Sequence, residues 1–311
     1  TGGGSLLLER YIYTLLYTKN EVWTYNPCMR FALLNDKRIE ATKGAKGICP
    51  SCSSELVARC GEIKIHHWAH KKKCDDHWWE NETEWHRNWK NRFPKEWQEI
   101  IQHDSSGEKH IADIKTKEGW VIEFQHSRIE PEERRSRDSF YSKLIWVIDG
   151  TRLKTDIKQF KKIIDEGHLD APSLLLLLVS FPDWSRLLMD WKNSNSLIFI
   201  DFGMEYVNNQ DLWLIYPKKI DGNILLSKFS RSAFIQYLND SEFGGIIDLI
   251  INPIQKTTEE YLKEQEKRNN ELLSEGLSTQ FYSNYFLFPQ NILEKTTLPN
   301  NILKKIEPPY L

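Results

Sequence analysis

The chain has 311 residues, of which 40% are hydrophobic and 12 are tryptophan. This content is sufficient for a buried core of about two domains and excludes a wholly disordered protein. Its 42 basic and 44 acidic residues leave a net charge of −2, and no apolar run reaches the roughly 18 residues that span a membrane. Five cysteines, an odd number, do not form a disulfide framework in a long chain. We therefore expect a soluble cytoplasmic protein with no membrane partner.

The chain begins with residues 1–28, which we predict to be a linker and an extension outside the fold. Residues 29–76 then form a predicted β-rich domain that opens with a strand pair at 30–34 and 38–41. Between Arg30 and Lys73 the sequence has ten basic and four acidic residues. A local positive field of this kind attracts polyanions, so we expect this region, including Lys71 and Lys72, to contact DNA.

A cysteine and histidine cluster in the same region has the spacing of a zinc site. Cys49 and Cys52 form a CxxC knuckle. After 14 intervening residues, His67 and His70 form an HxxH pair. Two predicted strands, 55–59 and 62–65, would connect the pairs as a hairpin and complete a tetrahedral, structural Zn²⁺ site. Other residues that could supply a ligand are Cys60, His66 and Cys74. The alternative is a set of buried cysteines and solvated histidines without a metal.

Residues 78–97 are predicted to form a tryptophan-rich amphipathic helix. Its aromatic stripe, Trp78, Trp85, Trp89 and Phe93, is expected to pack in the core. On another face Glu82, His86 and Lys90 follow at i, i+4 and i+8, which gives a polar column. This column is either part of a functional site or an ordinary ladder of charged residues.

The strongest signal for chemistry is the predicted hairpin 110–115 and 121–125, closed by a three-residue loop that ends at Gly119. Its register places Asp113 opposite Glu123, where Cβ atoms lie about 4.5–5.5 Å apart. Two opposed carboxylates repel each other unless a cation lies between them, and carboxylate oxygens suit Mg²⁺ or Mn²⁺. The alternative is a solvated sheet face. The opposite, apolar face consists of Ala112, Ile114, Ile122 and Phe124.

After the hairpin we predict a helix at 131–141 and a buried strand at 144–148. Arg134 and Arg137 on the helix either contact phosphates or form a solvated face. The element order of residues 77–165 is helix, three strands, helix and strand, which resembles the αβββαβ core of the PD-(D/E)XK nucleases. Residues 166–255 are predicted to be a separate mixed α/β domain. Residues 256–311 are predicted to be a polar helix and tail that could self-associate or bind a protein partner.

Residues 29–152 resemble the CoiA-like competence proteins of the PD-(D/E)XK superfamily. The motifs that carry this resemblance are MRFAL, RIEATKGAKGICPSC, HHWAH, ETEWHRNWKNRFP, GEKHIADI, GWVIEFQHS and FYSKLIWVIDGTR. The resemblance implies a zinc-finger-like amino-terminal part, a metal-dependent nuclease core and a role with DNA in bacteria. The overall expectation is an α+β or α/β protein with a restriction-endonuclease-like core.

The resemblance also implies roles for single residues. Asp113, Glu123 and the Phe124 carbonyl would hold Mg²⁺ or Mn²⁺, with Glu82 bound directly or through water. Gln125 stands where the superfamily most often has lysine and would orient the attacking water, while His86 or Lys90 would contact the phosphate. Two other functions stay open: a catalytically weak DNA-binding accessory of recombination, and a zinc-bearing interaction module of an antiphage system.

Overall fold

The computed structural model describes residues 28–71, 74, 82–166, 176–179, 181–203, 211–217, 223–275 and 285–287. The chain divides into two compact units, Thr1–Asn81 and Glu82–Leu311, of a mixed α+β protein. The division lies close to the predicted boundary between residues 76 and 77. The predictions for residues 1–27, Lys72, Trp78 and the tail after 287 lie outside the described residues.

Unit 1, Thr1–Asn81, contains a six-stranded antiparallel sheet with the order β1-β6-β5-β4-β2-β3. The strand bounds are β1 Cys28–Met29, β2 Phe31–Leu34, β3 Lys37–Glu40, β4 Lys46–Ile48, β5 Glu55–Arg59 and β6 His67–His70. The predicted first hairpin is confirmed, since Leu34 pairs with Lys37 across Asn35 and Asp36. Both turn residues have positive φ (49° and 60°), as a two-residue type I′ turn requires.

The core of unit 1 forms around Trp68, which is fully buried. Its indole nitrogen donates a hydrogen bond to the Ile39 carbonyl over 3.0 Å. Gly47 lies against this side chain, and a Cβ there would be 2.6 Å from the Ala32 Cβ and 3.3 Å from the Trp68 ring. Only glycine allows the strands to approach this closely.

One predicted strand of unit 1 is wrong in position. Residues 62–65 alternate in polarity, but the strand that pairs with β5 is His67–His70. Ile63 is completely exposed, whereas Trp68 and His70 are buried. Trp68 and His70 lie two residues apart and therefore point to the same, buried face of β6. Their burial determines the pairing register, because a shift by an odd number of residues would turn both side chains to the other face.

Unit 2, Glu82–Leu311, contains a nine-stranded sheet with the order β15-β11-β14-β13-β12-β10-β9-β8-β7. Its strands are β7 Gln98–His103, β8 Lys109–Lys115, β9 Val121–Gln125, β10 Leu144–Asp149, β11 Leu176–Val179, β12 Leu197–Asp201, β13 Asp211–Ile215, β14 Ile224–Ser230 and β15 Tyr285–Leu287. Its helices are α1 Glu84–Lys90, α2 Pro131–Phe140, α3 Lys154–Glu166, α4 Arg186–Trp191, α5 Arg231–Asn239, α6 Phe243–Ile246 and α7 Asn252–Ser274.

The order α1, β7, β8, β9, α2, β10 is the predicted succession of helix, three strands, helix and strand. Helix α1 is shorter than the prediction of 78–97. Thr83 caps its start, it ends at Lys90, and a 3-10 turn at Lys95–Trp97 follows Pro94. Proline has no N–H and cannot continue a helix. The aromatic stripe is buried at Trp89 and Phe93 as expected.

The predicted separate domain at 166–255 instead extends the same sheet. Strand β10 pairs in parallel with β9 on one side and with β12 on the other. Strands β13 and β14 continue antiparallel from β12. The apolar run in β10 is therefore buried by strands from both parts of the chain, and the boundary at residue 166 is wrong. Among the helices described, none is long and apolar enough to span a membrane.

Candidate functional site

The hairpin of β8 and β9 has the predicted register. Ile114 pairs with Ile122 and Lys115 with Val121. The Thr116 N–H donates to the Trp120 carbonyl over 2.9 Å, and the Gly119 N–H donates to Thr116 over 3.0 Å. Gly119 has a φ of +83°, which a three-residue loop with a bulge requires. The predicted apolar face is buried at each of its positions.

The backbone pairing between these strands ends at Ile114, one step before Asp113. The same register continued by one step would place Asp113 opposite Glu123. At this step a side chain replaces the backbone as acceptor: the Asp113 Oδ2 atom accepts a hydrogen bond from the Phe124 backbone N–H, over 3.0 Å. The carboxylate thus replaces a ladder hydrogen bond, and Asp113 keeps 22% of its side chain exposed.

A further acid of this site, Glu99, was not predicted. Gln98 pairs with Ile114 and Ile100 with Ala112, so Glu99 lies opposite Asp113 on the other side of β8. Its φ is +48°, and its side chain is 5% exposed. A non-glycine residue in this conformation is strained. The sequence offered little signal, since four of the six residues of β7 are polar and Glu99 resembles an ordinary surface acid.

Lys90 connects three acids of this site. Its Nζ atom lies 2.8 Å from Asp113 and 3.4 Å from both Glu82 and Glu99. Glu82 lies before the helix, where Arg87 also forms an ion pair with it. The predicted column therefore brings Glu82 and Lys90 to Asp113. The positive charge near Asp113 comes from helix α1.

Glu123 is bound by a different cation. Arg137 of α2 lies 3.2 Å from the Glu123 carboxylate and also forms an ion pair with Glu133. Both Glu123 and Arg137 are buried. Lys90 and Arg137 thus partly balance the repulsion between Asp113 and Glu123, for which the sequence predicted a metal ion alone.

These contacts determine the protonation of the site. Burial alone would raise the pKa of Asp113, but the charge of Lys90 and the hydrogen bonds from Lys90 and the Phe124 N–H outweigh burial and lower it. The pKa of Glu82 is likewise lowered, since Lys90 and Arg87 outweigh its burial. Lys90 is buried, yet the surrounding carboxylates raise its pKa. The acids are therefore ionised and Lys90 is charged at neutral pH.

His86 has a defined role at the start of α1. Its Nδ1 atom accepts a hydrogen bond from the Thr83 backbone N–H over 3.1 Å, as part of a capping box. The neutral ring therefore carries its proton on Nε2. His86 lies near enough to Asp113 to influence the pKa of that carboxyl, so it belongs to the same electrostatic site.

Gln125 and the residue after it lie at the end of β9. Gln125 is buried, and its amide nitrogen donates to the Ser127 carbonyl over 3.1 Å. His126 Nδ1 lies 2.7 Å from the Asp149 carboxylate at the end of β10. The rings of His86 and His126 are 5.9 Å apart. Since β9 and β10 are parallel, their polar ends meet at one edge of the sheet.

The predicted DNA contacts receive little support from the geometry. Arg134 and Arg137 are both buried rather than on a surface that phosphates can reach. Arg134 donates to the Asp190 carbonyl and lies over the Trp191 ring, while Arg137 binds Glu123. Their guanidinium groups thus stabilise the packing of α2. Lys71 is half exposed and forms an ion pair with Glu55 over 2.6 Å.

Unit 1 contains a separate candidate metal site. Ligand atoms of Cys49, Cys52, His70 and Cys74 all lie within 4.8 Å of one another. Zn–S bonds of 2.3 Å in a tetrahedron place sulfur atoms about 3.8 Å apart, so this Cys₃His group has the dimensions of a metal site. Cys49, His70 and Cys74 are buried, which suits a structural site.

The backbone of the CxxC knuckle is arranged to stabilise thiolates. The hydrogen bond with Cys74 and the N–H groups of Cys52 and Ser51 lower the pKa of Cys49 despite its burial. Ser53 has a φ of 59°, and its N–H donates to the Cys49 carbonyl over 3.0 Å. A thiolate is the form that binds metal.

The prediction of His67 as a ligand is wrong, and Cys74, named among the alternatives, takes its place. His67 and His70 lie three residues apart on β6. Side chains three apart on a strand point to opposite faces, and only His70 is buried. His67 Nδ1 instead lies 2.9 Å from the Ile65 carbonyl.

One family model matches the part of the chain that contains these four residues. Residues 32–76 match the family model described as competence protein CoiA, N-terminal domain. This range contains all four residues of the Cys₃His group. This part of the chain is thus similar to the N-terminal domain of the CoiA competence proteins. The search of curated proteins and the search of solved structures each found no match.

Proposed function

We propose that unit 2 of this CoiA-like chain is a metal-dependent nuclease that hydrolyses DNA phosphodiester bonds. The observation that carries the proposal is the placement of Asp113 and Glu123 in one register, at the point where the ladder between β8 and β9 ends. The element order of a PD-(D/E)XK core supports it. Glu82 and Lys90 reach the same site from the helix side.

The charge of the site fits a divalent cation. Among the residues that the structure describes, the ion pairs of the site bring together five carboxylates and three cations; they are Glu82, Glu99, Asp113, Glu123 and Glu133 with Arg87, Lys90 and Arg137. Carboxylates gathered at buried positions provide the oxygen ligands that a hard divalent cation prefers. Asp113, Glu123 and the Phe124 carbonyl would hold Mg²⁺ or Mn²⁺, with Glu82 bound directly or through water. The bound ion would polarise the scissile phosphate and lower the pKa of a bound water.

The protein's own groups would bind and orient the substrate. Lys90 supplies a buried positive charge beside Asp113. In the superfamily pattern the corresponding lysine stands at the position of Gln125 instead. His86 offers an Nε2 proton to a phosphate oxygen, since Thr83 occupies its Nδ1 atom. The Gln125 amide would orient the attacking water through neutral hydrogen bonds.

We also propose that the Cys₃His group of unit 1 binds Zn²⁺ as a structural site. Three thiols and one imidazole are the donors that Zn²⁺ prefers, and all four come from the protein. A site with four protein ligands holds no position for a catalytic water. The metal would fix the end of β6 and Cys74 to the CxxC knuckle.

A second candidate function is a catalytically weak DNA-binding accessory protein. Two observations favour it: Lys90 and Arg137 already bind both central acids, and glutamine stands at position 125. A divalent ion would have to compete with Lys90 for Asp113.

The deciding experiment is cleavage of supercoiled and linear DNA by the purified chain during titration with Mg²⁺ or Mn²⁺. Asp113→Asn and Glu123→Gln should each reduce cleavage about a hundredfold or more, because each loses a ligand worth several kcal/mol. Glu132→Gln is the matched control, since its side chain is 79% exposed on α2. Metal-dependent cleavage that either site variant retains in full would refute the proposal. DNA binding without cleavage by the wild type would support the accessory function.

A further inference from the structure

An exposed aromatic pair lies on unit 2, on elements that the proposed site does not use. The rings of Phe181 and Trp184 are 5.9 Å apart and almost parallel, with an interplanar angle of 20°. They are 48% and 41% exposed. Between them, Pro182 is buried and starts the 3-10 turn Pro182–Trp184. The turn therefore presents two stacked rings to solvent in a fixed arrangement.

Helix α3 places lysines beside this pair. Lys162 Nζ lies 4.9 Å from the centre of the Trp184 ring. The Arg186 N–H donates to the Gln159 side chain over 3.0 Å, which attaches the turn to the helix. The aromatic pair and α3 therefore form one continuous surface.

The lysines of α3 form a stripe. Lys154, Lys158 and Lys162 follow at i, i+4 and i+8, with Lys161 on the next position around the helix, and all four are exposed. Like charges at i, i+4 destabilise a helix by about 0.2–0.5 kcal/mol per pair. The opposite face of the helix is apolar and buried at Phe160 and Ile163. A polyanion bound along the stripe would relieve this repulsion.

We propose that the Phe181–Trp184 pair and the lysine stripe of α3 bind single-stranded DNA. Unpaired bases offer their faces to exposed rings, which a duplex does not, and the lysines would contact the phosphates. Stacking of this kind does not depend on base identity, so the surface binds with little sequence preference. The choice of DNA over RNA rests on the proposed nuclease function, whereas the binding of a single strand does not.

The test is fluorescence anisotropy with the full chain and a labelled oligothymidylate of about 20 nucleotides, without added Mg²⁺ or Mn²⁺ so that no cleavage occurs and the zinc of unit 1 is retained. Trp184→Ala and Phe181→Ala should each weaken binding about 5- to 150-fold. Replacing Lys158 and Lys162 together by alanine should weaken binding and reduce the slope of log affinity against log salt by about 1.4. Replacing Lys256 and Lys267 of α7 by alanine is the matched control and should change neither quantity beyond the small effect of net charge.

Unchanged affinity of both ring variants would overturn the proposal, as would equal losses in the α3 and α7 lysine variants. Tighter binding of an oligouridylate or of a duplex of the same length would also overturn it. Because the assay measures binding without added Mg²⁺ or Mn²⁺, it is independent of the nuclease proposal. A chain that binds but does not cleave refutes the nuclease alone. If the wild type cleaves DNA and both ring variants bind as tightly as the wild type, only the proposal for this surface is refuted.

Discussion

Lys90→Met tests whether one buried cation holds the acid cluster of unit 2 together. Methionine keeps most of the length of the side chain and removes its charge. Lys90 is 5% exposed, and its Nζ contacts Asp113, Glu82 and Glu99, which are 22%, 2% and 5% exposed at their side chains. The substitution leaves three carboxylates without the charge they share.

The expected cost follows from this burial. Removing one partner of a buried ion pair destabilises a protein by about 3–5 kcal/mol, because the remaining charge stays desolvated. Arg87 still compensates Glu82, so we expect the lower half of this range at neutral pH, about 3–4 kcal/mol. The matched control is Lys256→Met, whose partner Glu260 is 3.9 Å away on the surface of α7. That pair should contribute less than about 0.5 kcal/mol.

The measurement is urea unfolding of both variants at several pH values. In the wild type the pKa values of Asp113 and Glu82 are lowered, so the stability they contribute is present at neutral pH and lost as the pH falls through these pKa values. Without Lys90, burial raises the pKa of Asp113. As the pH falls, the Asp113 carboxylate takes up a proton, and the free-energy cost of burying its unpaired charge disappears. The difference from the wild type should therefore shrink between neutral pH and about pH 4.

Divalent metal provides a second readout. If the cluster binds Mn²⁺, the variant should gain more stability from the ion than the wild type does, because the ion no longer competes with Lys90. A loss below about 1 kcal/mol, or a loss that does not change with pH, would refute the assignment of Lys90 as the shared cation.

Two further predictions concern unit 1. Cys74→Ser should lower the bound zinc measured by atomic absorption well below one ion per chain, whereas His67→Ala should leave it unchanged; the reverse result would restore the HxxH ligand set. Gly47→Ala should destabilise unit 1 by about 1–3 kcal/mol in thermal unfolding, because the new methyl group would lie 2.6 Å from the Ala32 Cβ. An unchanged melting temperature would show that the two strands can separate there at no cost.

The local features of the site could be predicted from sequence where short-range rules determine them. The loop that ends at Gly119 and the alternation of the flanking residues fixed the pairing of Ile114 with Ile122. This pairing in turn set Asp113 against Glu123. The order of helices and strands up to β10 followed from the same kind of pattern.

Contacts between distant segments could not be predicted in this way. Glu99 joins the site only because β7 pairs with β8, and Arg137 only because α2 packs where Glu123 is buried. His67 was preferred over Cys74 because a CxxC pair and an HxxH pair have the spacing of zinc ligands. Both histidines lie on one strand, where a separation of three residues turns the two side chains to opposite faces.

The most direct test of the account is the anomalous scattering of Mn²⁺ in crystals of the full chain. The account predicts a peak about 2.0–2.3 Å from carboxylate oxygens of both Asp113 and Glu123, and its disappearance in Asp113→Asn. Manganese bound only elsewhere, with Lys90 and Arg137 still holding the two acids, would contradict it.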